Sequence, residues 1–249
     1  MGYYQKTNRK RKILGYKQKH KPNQRCQARR ITEVFSNSSL ENKRCFLIAG
    51  GPSLINFDYT LLKDEFTIGV NKTFLTYQPT MIYCMDMDLY EYLSRLGRKR
   101  AEKEAHLAWS AYKGYKVFLC PKRKHTFTDD IYVVDRLLEK TLSLDINKSF
   151  YPGKNSGFGA LTLAIAMGAR EIYLLGYDLK VGPKERTHWH DGYPNQDFRK
   201  FVLRLEKFKA EFEEFAPVIE KEGIKVVNLS KNSALECFPK DSIENILKS

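Results

Sequence analysis

The sequence predicts an α/β fold built on a doubly wound, mainly parallel sheet, on three observations. Short apolar runs recur along the chain, each ending in a glycine or a polar residue. Helical patterns lie between most of them. And the stretch Lys154 to Asp178 strings a loop, a helix, a turn and a strand together without interruption.

That stretch is the organising element. Asn155 and Ser156 are N-cap residue types, Gly157 and Gly159 permit close approach to the backbone, and Ala160 to Met167 is a small-residue helical run that Gly168 stops. Ile172 to Leu175 suits a strand buried on both faces, ending at Gly176 and Asp178. A helix that starts on Ser and Gly offers free backbone N–H groups to a phosphate or carboxylate. Small residues that only let the helix pack tightly on the sheet explain the same pattern.

The remaining elements follow in order. Arg44 to Ala49 is the first buried strand and runs into Gly50-Gly51-Pro52-Ser53, a turn in which backbone N–H groups can face a ligand. This turn is neither GxGxxG nor a Walker loop, so the common dinucleotide and P-loop readings lack their motif. Phe66 to Val70 ends in Asn71; Met81 to Met85 ends in Asp86 and Asp88; Tyr115 to Cys120 is closed by Pro121; Ile224 to Leu229 is a late strand. Helical patterns cover Leu89 to Trp109, Ile131 to Thr141 and Phe198 to Glu222. In the last, Phe201, Leu205, Phe208, Phe212 and Phe215 form a stripe expected to face the core.

With 249 residues, 42% of them hydrophobic, the chain can bury one substantial core. The net charge of +14 is mostly local: residues 1–30 hold eleven Lys or Arg and no acid, and the rest is nearly balanced. Residues 1–42 therefore read as a basic, flexible tail and join, and 43–249 as a single catalytic domain. Through residues 1–30 the tail offers nonspecific contact to nucleic acid or an anionic surface. Five cysteines show no metal-ligand spacing and suit a reducing compartment. Without an 18-residue apolar run or a signal-peptide core, a cytoplasmic location with no transmembrane span is expected.

Polar strand ends mark the ligand edge of an open parallel sheet, so Gly50, Gly51, Asn71, Asp86 and Asp178 are expected to converge on one crevice. The loop 179–197 adds His188 and His190, two residues apart. Histidine beside an anion site can move protons near neutral pH. With Asp191 the pair offers instead an incomplete metal set, or the loop is simply surface. Asp86-Met87-Asp88 matches a DxD pattern that holds a divalent ion against a diphosphate, while a single carboxylate at a strand end can equally contact a ribose or a ligand amine without metal.

The ordered set FLIAGGPSL, IGVNKTF, NSGFGALTLAIAMGAREIYLLGYD, a His-containing loop and IKVVNLSKNSAL resembles two related groups across residues 44–238. One is the bacterial sialyltransferase family that uses CMP-sialic acid on a Rossmann-like fold. The other is the MptE-like family of 6-hydroxymethylpterin diphosphokinases and motility accessory factors. The resemblance implies a Rossmann-like nucleotide-binding domain in which Asn71, Ser156, Gly157 and Asp178 match residues that hold the nucleotide, while Gly50, Gly51, Pro52, Ser53, Asp86 and Asn155 are expected nucleotide contacts from their own place at the strand ends and helix start. The sialyltransferase loop carries an Asn where this chain has Gly50, so that contact is absent. His188, or else His190, matches the family's general base. No clear match exists for its phosphate-binding tyrosines, and Lys180, Lys184 or Arg186 are expected to offset that charge.

The expected function is thus transfer of a sugar from a CMP-sugar to an unidentified acceptor, with no cofactor or metal required. The alternative is diphosphate transfer from ATP to a pterin-type alcohol, with Mg²⁺ on Asp86 and Asp88. A third reading is a non-catalytic nucleotide-binding protein tethered to nucleic acid by its tail.

Overall fold

The computed structural model describes residues 26–121, 125–128, 130–190 and 197–248. In chain order the strands are β1 (Cys26–Gln27), β2 (Arg29–Arg30), β3 (Arg44–Ile48), β4 (Phe66–Val70), β5 (Met81–Cys84), β6 (Tyr115–Leu119), β7 (His125–Thr126), β8 (Ile131–Val134), β9 (Glu171–Leu175) and β10 (Lys225–Asn228). The helices are α1 (Met87–Ser94), α2 (Arg100–Ala111), α3 (Ser156–Ala166), α4 (Phe198–Lys221) and α5 (Ile243–Lys248). Eight strands form one sheet in the order β10-β9-β3-β4-β5-β6-β8-β2, parallel throughout, while β1 pairs only with β7.

The chain builds outward from β3 through β4, β5, β6 and β8, then crosses back to lay β9 and β10 on the other side of β3. This is the expected Rossmann-like, doubly wound sheet. Its reversal falls between β3 and β9, where connections leave in opposite directions and open a crevice at the C-terminal strand ends.

The strands are apolar throughout because both faces are covered. In β3, Cys45 and Leu47 join the core shared with α3 and α4, whereas Phe46 and Ile48 join a second one with α5. In β5, Met81 and Tyr83 enter the first core while Ile82 and Cys84 enter a third beneath α1 and α2.

Three expectations are corrected. Ile131 to Thr141 is not a helix. Ile131–Val134 is an unbroken β-branched and aromatic run that pairs with β6 and β2, sending Ile131 and Val133 to one core and Tyr132 and Val134 to another. The pattern over Leu89 to Trp109 is two helices, broken around Gly97. The space left by the missing Cβ admits Glu102, whose Oε2 accepts from the N–H groups of Arg98 (2.9 Å) and Lys99 (3.1 Å) at the start of α2. The stretch 26–42 is not a loose join: β2 extends the sheet, Arg30 bonds both Asp135 oxygens at 2.9 Å, and Ile31, Phe35 and Leu40 are buried in the main core. Its hydrophobics are too widely spaced to read as an element, yet each reaches the core. Residues 1–25 lie outside the described residues. Among the described residues no helix is long and apolar enough to cross a membrane.

Candidate functional site

At the β3/β9 reversal the strand ends enclose a cleft of about 900 Å³. It is closed from above by residues 187–190 and by the first turns of α4.

The floor begins with the glycine turn after β3. Gly51 N donates to Gly176 O at 2.9 Å, and a Cβ on Gly51 would fall on Asp178 Oδ2. The glycine is therefore required by a neighbouring side chain rather than by a ligand. Ser53 completes the contact, its N–H and Oγ donating to Asp178 Oδ2 at 3.3 and 2.8 Å. Asp178 is buried, and burial pushes its carboxyl above the usual range although the Ser53 bonds oppose this. Gly176 has φ +72°, and a Cβ there would meet Leu54 Cδ1 at 2.5 Å. Behind this turn Ala234 N donates to Asp178 O at 2.8 Å and Tyr177 N to Ser230 Oγ at 3.1 Å.

The second wall is the start of α3. Asn155 Oδ1 caps the helix by accepting from Phe158 N at 2.8 Å. Its Nδ2 is buried without a hydrogen-bond acceptor among the described residues. Met85 N donates to Ser156 Oγ at 3.4 Å, tying the helix to β5, and Tyr177 OH donates to Gly157 O at 3.0 Å. The two glycines have different reasons. Gly157 faces the cleft, whereas a Cβ on Gly159 would lie 2.8 Å from the Tyr83 ring, so Gly159 serves helix–sheet packing.

His188 hangs over Gly50, so that a Cβ on Gly50 would meet its Cδ2 at 2.9 Å. Its Nδ1 lies 2.9 Å from Thr187 Oγ1, its ring stacks on His190 at 4.9 Å, and Phe201 of α4 lies 5.3 Å away. The loop is pinned by Trp189, whose backbone N–H donates to Gly50 O at 3.0 Å and whose ring packs against the core shared with α5. Burial, and after it the charge of Lys72, draw the His188 pKa down to about 4, so the ring is neutral at pH 7.

The cleft brings together Gly50, Gly51, Pro52, Asn71, Asp86, Asp88, Asn155, Ser156, Gly157, Asp178, Lys180, His188 and His190. Ser53 is not on its wall; it holds Asp178 from behind. Lys184 and Arg186 are also outside, carried away on an exposed turn where Lys184 and Glu185 take φ of +54° and +58°. Asp86 Oδ1 caps α1 by accepting from Asp88 N at 3.0 Å, so toward Mg²⁺ the pair offers Asp88 and the remaining Asp86 oxygen. Among the described residues no group of three or more His, Cys, Asp or Glu is placed to hold a metal, and Asp191 lies outside them.

Several lining residues were not anticipated: Lys72, Tyr92, Lys154, Tyr177, Lys200 and Arg204. Lys72 follows Asn71 directly, so its strand-end position was readable. Lys200 and Arg204 stand one turn apart on α4 beside Phe201 and Phe208, which line the cleft instead of facing only the core; Leu205, Phe212 and Phe215 of the same stripe are buried.

No protein-family model and no curated protein matches the chain. Among solved structures it is similar to the sialyltransferase CstII from Campylobacter jejuni, in complex with the substrate analogue CMP-3FNeuAc. The identity is 16%, over 80% of this chain and 85% of that one, with a TM-score of 0.46.

Proposed function

We propose that the protein is a glycosyltransferase that moves a sugar from a CMP-sugar to an acceptor hydroxyl, with His188 as general base. The observation that carries this reading is a neutral histidine suspended over the glycine turn at the point where the strand order reverses. Around it the cleft presents Lys154, Lys180, Lys200 and Arg204 and the start of α3, which suit a nucleotide phosphate. The order of strand-end motifs, which resembles the CMP-sialic acid sialyltransferases, points to the same donor class.

In the tautomer that donates Nδ1–H to Thr187 Oγ1, 2.9 Å away, His188 Nε2 is the atom that takes the acceptor's hydroxyl proton. The acceptor oxygen bonds to the anomeric carbon as the bond from that carbon to the phosphate oxygen breaks. The electron pair leaves with the nucleotide, whose charge the basic side chains and helix start offset. Asp178 and Ser53 shape the floor, and the Trp189 anchor sets the height of His188.

Diphosphate transfer from ATP keeps one observation in its favour, Asp86 and Asp88 on the cleft wall. A thermal-shift screen against nucleotides and nucleotide sugars, followed by turnover with the stabilising donor with and without chelator, separates the two. Transfer that persists in chelator and disappears in His188→Ala supports the sugar-transfer reading. Chelator-sensitive diphosphate transfer, or sugar turnover by His188→Ala equal to wild type, overturns it.

A further inference from the structure

We propose that Lys72 is the anchor for the donor's phosphoryl group, and that through it occupancy of the cleft sets the proton affinity of His188. The inference rests on the reading of the cleft as an anion-binding site, and it differs from the expectation that Lys180, Lys184 or Arg186 fills this role.

The geometry begins in the turn after β4. Asn71 takes φ +56°, and Thr73 Oγ1 lies 2.9 Å from Val70 O and 3.1 Å from Ile48 O, fastening the turn to two strand ends. Lys72 is therefore carried on rigid backbone. It is 8% exposed, while Lys154, Lys180, Lys200 and Arg204 on the same walls are exposed, so it is the cation least screened by water. Its Nζ lies 5.6 Å from the centre of the ring of Tyr92, which lines the same cleft. Asn155 lines the same space, and its Nδ2 is buried without an acceptor among the described residues. A buried cation with an N–H donor on the same cleft suits an anion with several oxygens.

The link to His188 is electrostatic. Among the described residues, the groups facing His188 include Lys72 from the β4 turn, the titratable His190 of its own loop, and Thr187, Gly50 and Phe201, which do not titrate. Asp178, Lys180, Lys200 and Arg204 share the cleft. The Lys72 charge disfavours a second positive charge on His188. The donor's phosphodiester, a monoanion, cancels the Lys72 charge when it binds there, so the imidazole gains affinity for a proton when donor is present. The base is then weak in the empty cleft and stronger in the loaded one, where its pKa moves toward the working pH.

The test uses the full chain and inorganic pyrophosphate, with binding followed by calorimetry and the His188 ring by NMR titration. Wild type should bind pyrophosphate, and its His188 midpoint should rise by about one unit or more on saturation. Lys72→Met should weaken binding about tenfold or more, with the His188 midpoint already raised in the empty protein, while Lys72→Arg keeps most of the affinity. The basic residues of the tail are common to all variants, so only the difference between them counts. Should Lys72→Met fail to fold, the wild-type His188 titration with and without pyrophosphate decides alone. Equal binding by Lys72→Met, no binding by wild type, or a His188 midpoint that ignores pyrophosphate overturns the inference. If these results hold and no CMP-sugar is turned over, the transfer reading falls and the anion anchor stands. If Lys72→Met transfers sugar at the wild-type rate, the anchor falls and the transfer reading stands.

Discussion

His188 combines two properties that a solvent-exposed histidine lacks: it is neutral well below pH 7, and its ring is fixed by Thr187, His190 and Phe201. Its folded pKa, near 4, lies below an unfolded value of about 6.5. Between these values the unfolded chain binds the extra proton, so the His188 contribution makes stability fall as pH drops from about 6.5 to about 4. Asp178 has the opposite sign, since its raised pKa makes the native state the better proton binder above about 3.8, the usual aspartate value. Urea melts of wild type and His188→Gln should therefore diverge across the His188 window, with the variant less acid-sensitive; parallel curves would refute the buried neutral ring. In turnover, His188→Ala should lose about 100-fold or more while donor affinity stays near wild type, the usual weight of a general base. For the wild type, the acid limb of kcat/KM should fall near the free-enzyme value and not near 6.5.

At the scale of the element, the floor of the cleft rests on two glycines, Gly51 and Gly176, that no ordinary side chain can replace. Gly176→Ala must hold a Cβ at φ +72° against Leu54, and Gly51→Ala must displace Asp178. Gly51→Ala should therefore abolish ligand-induced stabilisation, and Gly176→Ala should destabilise by about 1–3 kcal/mol through strain and overpacking. A normal melt together with normal ligand response in both variants would place the site elsewhere. Strand ends and the α3 start were legible because they rest on local signals: an apolar run, a glycine pair, an N-cap asparagine. Elements whose identity depends on partners were not. Ile131–Val134 alternates with nothing visible in sequence and becomes a strand only between β6 and β2. Phe201 and Phe208 share a helical stripe with Phe212, and spacing alone cannot say where core ends and cleft begins. The basic loop around Lys184 and Arg186 owes its expected role to charge, but two consecutive left-handed residues belong to a turn that carries it off the cleft.

For the whole molecule the decisive question is where the folded body begins. Charge made residues 1–42 look like one segment, because eleven basic residues hide the few apolar ones that follow. From Cys26 onward the chain supplies a short pairing with β7, an edge strand on β8 and three buried side chains, Ile31, Phe35 and Leu40. Leu40 N also donates to Met167 O at 2.9 Å, holding this segment against the end of α3. Burying three such side chains is worth roughly 5–9 kcal/mol at about 1.5–3 kcal/mol each, which compares with a total stability of about 5–15 kcal/mol for a domain. A chain starting at residue 43 should therefore lose its cooperative melt or show a melting temperature tens of degrees lower. A chain starting at residue 26 removes most of the surplus charge and none of these contacts, so it should melt close to the full-length protein. Any binding of the full-length protein to DNA or RNA should be lost in this shorter chain and should weaken steeply with salt, since it rests on charge alone. Equal melts for the two truncations would show that residues 26–42 do not hold the core, and nucleic-acid binding that survives removal of residues 1–25 would place the contact on the domain itself.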